Sequence, residues 1–186
     1  MKSLCSLSVA AALLFSGQTL AATEIAGIEL PGSVMMQDTQ LTLNGAGVRS
    51  KFFMDLYVGS LYLPTAAHDL KQVLAEPSAL VRLNITSGLI TADKMRDAIN
   101  EGFELATDGD ISAIKPQITE FMGLFDEAIQ EGDQFSFLTT ANSVTSYKNG
   151  KLLSTIEGEA FRTALLSIWL GDDPAQNSLK KAMLGH

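Results

Sequence analysis

Beyond its first two dozen residues the chain has no cysteine: the only one is Cys5. A folded body without thiols has neither disulfides nor a thiolate metal site. Histidine is nearly as scarce, with His68 in "AAHDL" at a loop or helix start and His186 at the last position. A transition-metal centre has no ligand set to draw on, and a Ser-His-Asp triad would have to recruit one of these two. Basic residues are also few, 13 Lys and Arg against 21 Asp and Glu, for a net charge of −8. A chain this acidic repels phosphate backbones, which argues against nucleic acid as a partner. No apolar run of about 18 residues follows the N-terminal segment, so no integral membrane span is expected there.

That N-terminal segment is "MKSLCSLSVAAALLFSGQTLAA". Lys2 supplies a positive start, Leu4 to Phe15 an apolar stretch, and Ala21 and Ala22 a small-residue boundary. The pattern is that of a secretory signal peptide, residues 1–22, cleaved after Ala21 or Ala22. The expected location is periplasmic or secreted. Residues 23–186 then form a single domain, long enough to bury a core of its own.

Within that domain the pattern is strand, then helix, then hairpin, then helix. "EIAGIELP" and "QLTLNGAGV" are short alternating runs around the turn-prone "PGSVMMQD". Phe52 to Leu63 reads as a strand. Its even positions (Phe52, Met54, Leu56, Val58, Ser60, Tyr62) are nearly all apolar, and its odd ones mix polar groups with aromatics. A short helix is predicted over Asp69 to Ala75, and "ALVRLNIT" as a further strand. Thr91 is placed to cap a helix whose stripe is Met95, Ile99, Phe103 and Ala106. A second stripe runs from Ile111 through Ile114, Ile118, Phe121, Met122 and Phe125 to Ile129, with Pro116 marking a break or a start. "QFSFLTT" alternates, and Asn149-Gly150 is a strong hairpin signal. Phe161, Leu165, Ile168 and Trp169 line one last helix ended by Gly171, and Asp173-Pro174 is read as starting another. The fold class is α+β, with helices on one face of an antiparallel sheet.

Motifs for chemistry are sparse. No "GxSxG" elbow presents a serine, and "GAG" at 45–47 lacks the third glycine and the helix of a dinucleotide site. Asp172 and Asp173 are read as helix caps, and Glu157 and Glu159 as acids at a helix start. What stands out is "NGAGVRSKFFMDLYVGSLYLP" at 44–64, with an arginine at the head of an apolar strand. Arg49 offers a permanently charged planar fork suited to a carboxylate, and Tyr57 adds a phenol. The plainer alternative is that Arg49 pairs with Asp55 or another acid and simply ends a strand. Along one straight strand Arg49 and Tyr57 would lie about 26 Å apart, so sharing a ligand needs a turn near Arg49-Ser50.

The block just quoted, with the closing "AFRTALLSIWLGDDPAQNSLKKAMLG", resembles the chalcone isomerase-like family in its short bacterial exported branch. The resemblance implies an open-faced β-sandwich, a large antiparallel sheet with a layer of helices and a ligand cleft between them. In the enzymes of that family an arginine in a "GVRG" element stabilises substrate charge during an intramolecular cyclisation, and Arg49 in "GVRS" matches it. The enzymes' threonine position falls on Tyr57, their tyrosine near Thr91, a nearby lysine on Lys94, and a substrate-contacting pair on Ile168 and Trp169. Most of these positions depart from the enzymes' residues. Arg49 with Tyr57 instead resembles the arginine–tyrosine pair with which non-enzymatic relatives hold a fatty-acid carboxylate. Three readings follow: a binder of a fatty acid or similar apolar acid through Arg49, Tyr57, Ile168 and Trp169; an intramolecular lyase using Arg49, Tyr57, Thr91 and Lys94; or an interaction module without a ligand. None requires a cofactor or a metal, and none names a protein partner.

Overall fold

A computed structural model describes residues 22–186; Cys5 and all of the leader segment before Ala22 lie outside the described residues. The chain begins with a two-stranded hairpin, β1 (Thr23–Ile25) and β2 (Ile28–Leu30), so "EIAGIELP" is a pair of strands and not one run. Seven further strands follow, β3 (Ser33–Met36), β4 (Thr39–Lys51), β5 (Met54–Leu63), β6 (Ser78–Ile85), β7 (Gln134–Thr140), β8 (Ser143–Lys148) and β9 (Lys151–Glu157). They form one sheet in sequence order, every neighbouring pair antiparallel. The turn expected across "PGSVMMQD" is narrower than predicted. Ser33–Met36 pairs as a strand, and the reversal falls on Gln37 and Asp38. From that turn Gln37 Nε2 donates to the Tyr147 hydroxyl at 3.1 Å, so the sheet curls until β3–β4 reaches β8.

Helices pack on one face of the sheet: α1 (Leu70–Ala75), α2 (Ala92–Ala106), α3 (Lys115–Met122), α4 (Glu159–Leu170) and α5 (Asn177–Met183). Thr91 caps α2 as its position suggests, its hydroxyl accepting from the Lys94 N–H at 3.3 Å, and Met95, Ile99 and Phe103 are buried. Pro116 sits in the first turn of α3, where a missing N–H leaves no bond unmade. The stripe it starts is buried through Phe125, but the helix ends at Met122 in a tight 3₁₀ turn, and Ile129 packs from a loop. Aromatic rings knit these helices to the sheet: Phe121 lies 5.3 Å from Phe137, and Phe137 stacks on Trp169 at 6.0 Å. A smaller apolar cluster, Leu41, Tyr62, Leu80 and Leu138, fills the opposite face under the curl.

Two expectations are corrected here. Phe52 and Phe53 do not begin a strand; both have left-handed backbones and form the turn between β4 and β5. Their high strand propensity masks this. Asp173-Pro174 does not start a helix either. Gln176 is the residue before α5, and neither Asp172 nor Asp173 caps it. The predicted Asn149-Gly150 hairpin is present, with φ of 52° and 77°.

Candidate functional site

The glycines of "NGAGVR" explain where the last helix lies. A Cβ on Gly45 would run into the carbonyl oxygen of Ala182 and stand 2.8 Å from that of Met183. One on Gly47 would stand 2.8 Å from Ala182 Cβ. Bare backbone on β4 thus lets α5 lie directly on the strand. Asn44 fixes the junction, its Nδ2 donating to Met183 O at 2.8 Å and to Ala67 O at 2.9 Å.

That docking delivers Gln176 to Arg49. Arg49 Nη1 donates to Gln176 Oε1 at 3.0 Å and to Ser50 O at 3.0 Å. The same Gln176 oxygen accepts from Ser50 N–H at 3.0 Å, and its Nε2 donates to Val48 O at 3.2 Å. Arg49 does not pair with Asp55, whose Oδ1 takes the Ser50 hydroxyl at 2.8 Å. Among the described residues no carboxylate lies within ion-pair distance of Arg49.

The distance problem between Arg49 and Tyr57 is solved by the hairpin. The chain turns at Phe52-Phe53, three residues later than Arg49-Ser50, and Arg49 on β4 is the register partner of Tyr57 on β5. A register shift just after Arg49 brings Leu56 as well as Tyr57 to the helix side. Trp169 of α4 donates its Nε1–H to the Tyr57 hydroxyl oxygen at 3.0 Å. The phenol's acceptor site is therefore used, and its proton remains to donate. Burial pushes the Tyr57 pKa up, partly offset by the Trp169 hydrogen bond and by the charge of Arg49. The phenol is neutral at physiological pH.

Arg49 and Tyr57 open on a cleft of about 520 Å³ between this hairpin, α2 and α4. Its walls include Leu56, Ile90, Met95, Ile99 and Leu83, with Ile168 and Trp169 from α4. Lys51, Lys94, Asp97 and Glu101 also border it. The size falls within the range of small-molecule sites, and the pattern of apolar walls with few polar groups is theirs too. A second depression, about 580 Å³, is more open and is bordered by His68, Lys71, Asp172, Lys180 and His186 among others.

Of the residues singled out from sequence, Arg49, Tyr57, Lys94, Ile168 and Trp169 thus meet at one cleft. Thr91 does not line it; its hydroxyl is engaged in capping α2. Lys94 is exposed, its Nζ donating to Leu89 O at 3.1 Å. His68 Nδ1 lies 2.9 Å from Leu184 O, and His186 Nε2 lies 2.9 Å from His68 O, so both tie the C-terminal segment to α1's start. Among the described residues no group of three or more His, Cys, Asp or Glu gathers to hold a metal ion, and no helix is long and apolar enough to cross a membrane. Sequence reading missed Gln176, 127 positions from Arg49 and without a local signal.

A family model described as chalcone isomerase-like matches residues 22–185. The solved structure of a fatty-acid binding protein from Arabidopsis thaliana superposes with a TM-score of 0.66 at 14% identity, covering 88% of this chain and 96% of that one. No curated protein matches by sequence.

Proposed function

The chain belongs to the chalcone isomerase-like family, and we propose that its cleft binds a fatty acid or a similar long apolar acid without transforming it. One observation carries this: a guanidinium with no carboxylate partner among the described residues and a phenol with a spare proton sit side by side where an apolar cleft begins. A carboxylate there would meet charge-assisted donors, and its tail would meet apolar walls. The likeness in fold to a fatty-acid binding protein supports the reading. The lyase alternative has little to draw on, since the Thr91 hydroxyl caps a helix and the Lys94 amine is held by Leu89 O. The open cleft weighs against a module without a ligand. The N-terminal pattern supports export, so we place the binding protein in the periplasm or outside the cell.

The test is fatty-acid affinity and melting temperature measured on the same two variants. Arg49→Ala should lose about 1.5–3 kcal/mol of binding, roughly ten- to 150-fold, and Arg49→Lys less. Stability should fall by only about 0.5–1.5 kcal/mol, because Ser50 N–H still engages Gln176. Unchanged affinity in Arg49→Ala, or an empty protein that no longer folds, would make the arginine structural.

A further inference from the structure

Among the described residues four hairpins close on consecutive left-handed residues, Ala26-Gly27, Gln37-Asp38, Phe52-Phe53 and Asn149-Gly150, and one pair stands apart from the rest. Between β8 and β9 the pair is Asn149-Gly150, the residues such a turn prefers. Between β4 and β5 it is Phe52-Phe53, with φ of 51° and 65°. Phenylalanine is a poor choice for that backbone. The rings gain little burial from the fold in return: Phe53 is fully exposed and Phe52 is 79% exposed. Turn formation alone does not account for this pair.

The surroundings give the tip a direction. Met54, Leu89 and Leu105 are also exposed, and all three border the cleft, as does Phe52. Four exposed apolar side chains, Phe52, Met54, Leu89 and Leu105, therefore border the cleft, and Phe53 stands beside them at the tip. Lys51, whose Nζ is 5.9 Å from the Phe52 ring centroid, and Lys94 stand at the same rim. Long-stemmed cations beside apolar side chains suit the headgroup level of a bilayer.

We propose that the β4–β5 tip is a membrane-docking element, inserting Phe52 and Phe53 into a lipid surface and setting the cleft mouth against it. The passage of an apolar acid from bilayer to cleft rests on the function proposed above; the docking itself does not. A protein partner fits less well. Two phenylalanines bury about 150–250 Å² each, and even with their neighbours a narrow tip falls short of the roughly 800 Å² that each side of a stable protein interface contributes. A lipid surface needs no such area, because a few side chains dissolve into it. With a net charge of −8 the chain gains no long-range attraction to anionic lipid. Insertion, not charge, drives the contact, and binding to phosphatidylcholine vesicles should change little with salt.

Phe53 is not part of the cleft wall, so it can be changed without touching the binding site. In Phe53→Trp the new indole reports from the tip itself, and the native Trp169, 2% exposed, is subtracted with the unsubstituted chain. Added phosphatidylcholine vesicles should shift the tip emission to the blue, and acyl-chain-brominated lipid should quench it. Emission that ignores the vesicles overturns the proposal. So does emission already blue-shifted in buffer in step with a dimer in sedimentation, which would assign the tip to a second copy of the chain. Phe53→Ser should slow transfer of a fluorescent fatty acid from vesicles to protein by at least about tenfold, with vesicle-free affinity unchanged. An unchanged transfer rate refutes entry through this mouth. If no fatty acid binds at all, the cleft reading falls while the tip fluorescence still decides the docking.

Discussion

Replacing Gly45 by alanine adds one methyl group at the place where β4 and α5 touch. The new carbon would overlap the carbonyl oxygen of Ala182 and stand 2.8 Å from that of Met183. Both obstacles are backbone, so no side-chain rotation relieves them. Either β4 bends out of register with Leu61, its partner on β5, or α5 lifts. Lifting α5 strips the buried Leu179 and Met183 of contacts and stretches the bond from Asn44 to Met183 O. Overpacking of this kind costs about 1–3 kcal/mol, and the immovable obstacle puts Gly45→Ala near the top, about 3 kcal/mol. For a domain of this size that is a fall in Tm of about 6–12 °C. Gly88 supplies the control, since a Cβ there meets nothing within 4 Å. Gly88→Ala should stay within about 0.5 kcal/mol of the parent. Thermal unfolding by circular dichroism reads both. If Gly45→Ala melts within about 2 °C of the parent, or Gly88→Ala falls as far, the close approach of α5 is not what these glycines are for.

Two further expectations follow from the chemistry of the site and of the leader. Burial raises the Tyr57 and Tyr62 pKa values above that of an ordinary phenol, about 10, so their contribution to stability is complete below that pH and is lost as pH rises through the folded-state values. Denaturant titrations across the alkaline range should show this limb flattened in Tyr57→Phe, which should also cost about 1–3 kcal/mol at neutral pH by orphaning the Trp169 N–H; a limb of unchanged steepness would contradict it. Intact mass of protein recovered from the producing cell's envelope should correspond to a chain starting near Ala22 or Thr23, and retention of Met1 to Ala22 there would refute export with cleavage.

Local signals were readable in the sequence and distant ones were not. Thr91 as cap, the Met95–Phe103 stripe and the Asn149-Gly150 turn each depend on residues within one or two turns of one another. They came through intact. Phe52-Phe53 misled because aromatic residues favour strands, and their left-handed turn is imposed by the pairing of β4 with β5. Asp173-Pro174 misled because an acid before proline imitates a helix start, while Ala175 N–H is committed instead to Ile168 O at 2.8 Å, holding the segment against α4. Arg49 was identifiable as unusual, but its partners were not. Tyr57 becomes its neighbour through sheet register, and Gln176 through a helix that docks only because β4 is bare.

The arginine, the glycines and the exposed phenylalanines of residues 44–64 belong to one hairpin, and their order along it bears on mechanism. Gly45 and Gly47 seat α5, which holds Gln176 against the Arg49 Nη1 group. Arg49 follows two residues later, and the tip three residues after that. At about 3.3 Å per residue the guanidinium's backbone is roughly 10 Å from the tip. Apolar faces of interfacial elements sink about 5–10 Å into a bilayer. With Phe52 and Phe53 inserted, Arg49 would stand at the outer edge of the headgroup layer, within reach of an acid's own head without entering hydrocarbon itself. A guanidinium at that height exchanges one polar setting for another and avoids the cost of a buried unpaired charge. Moving the cation toward the tip would bring that cost back, and moving it away would part it from Tyr57 and Gln176.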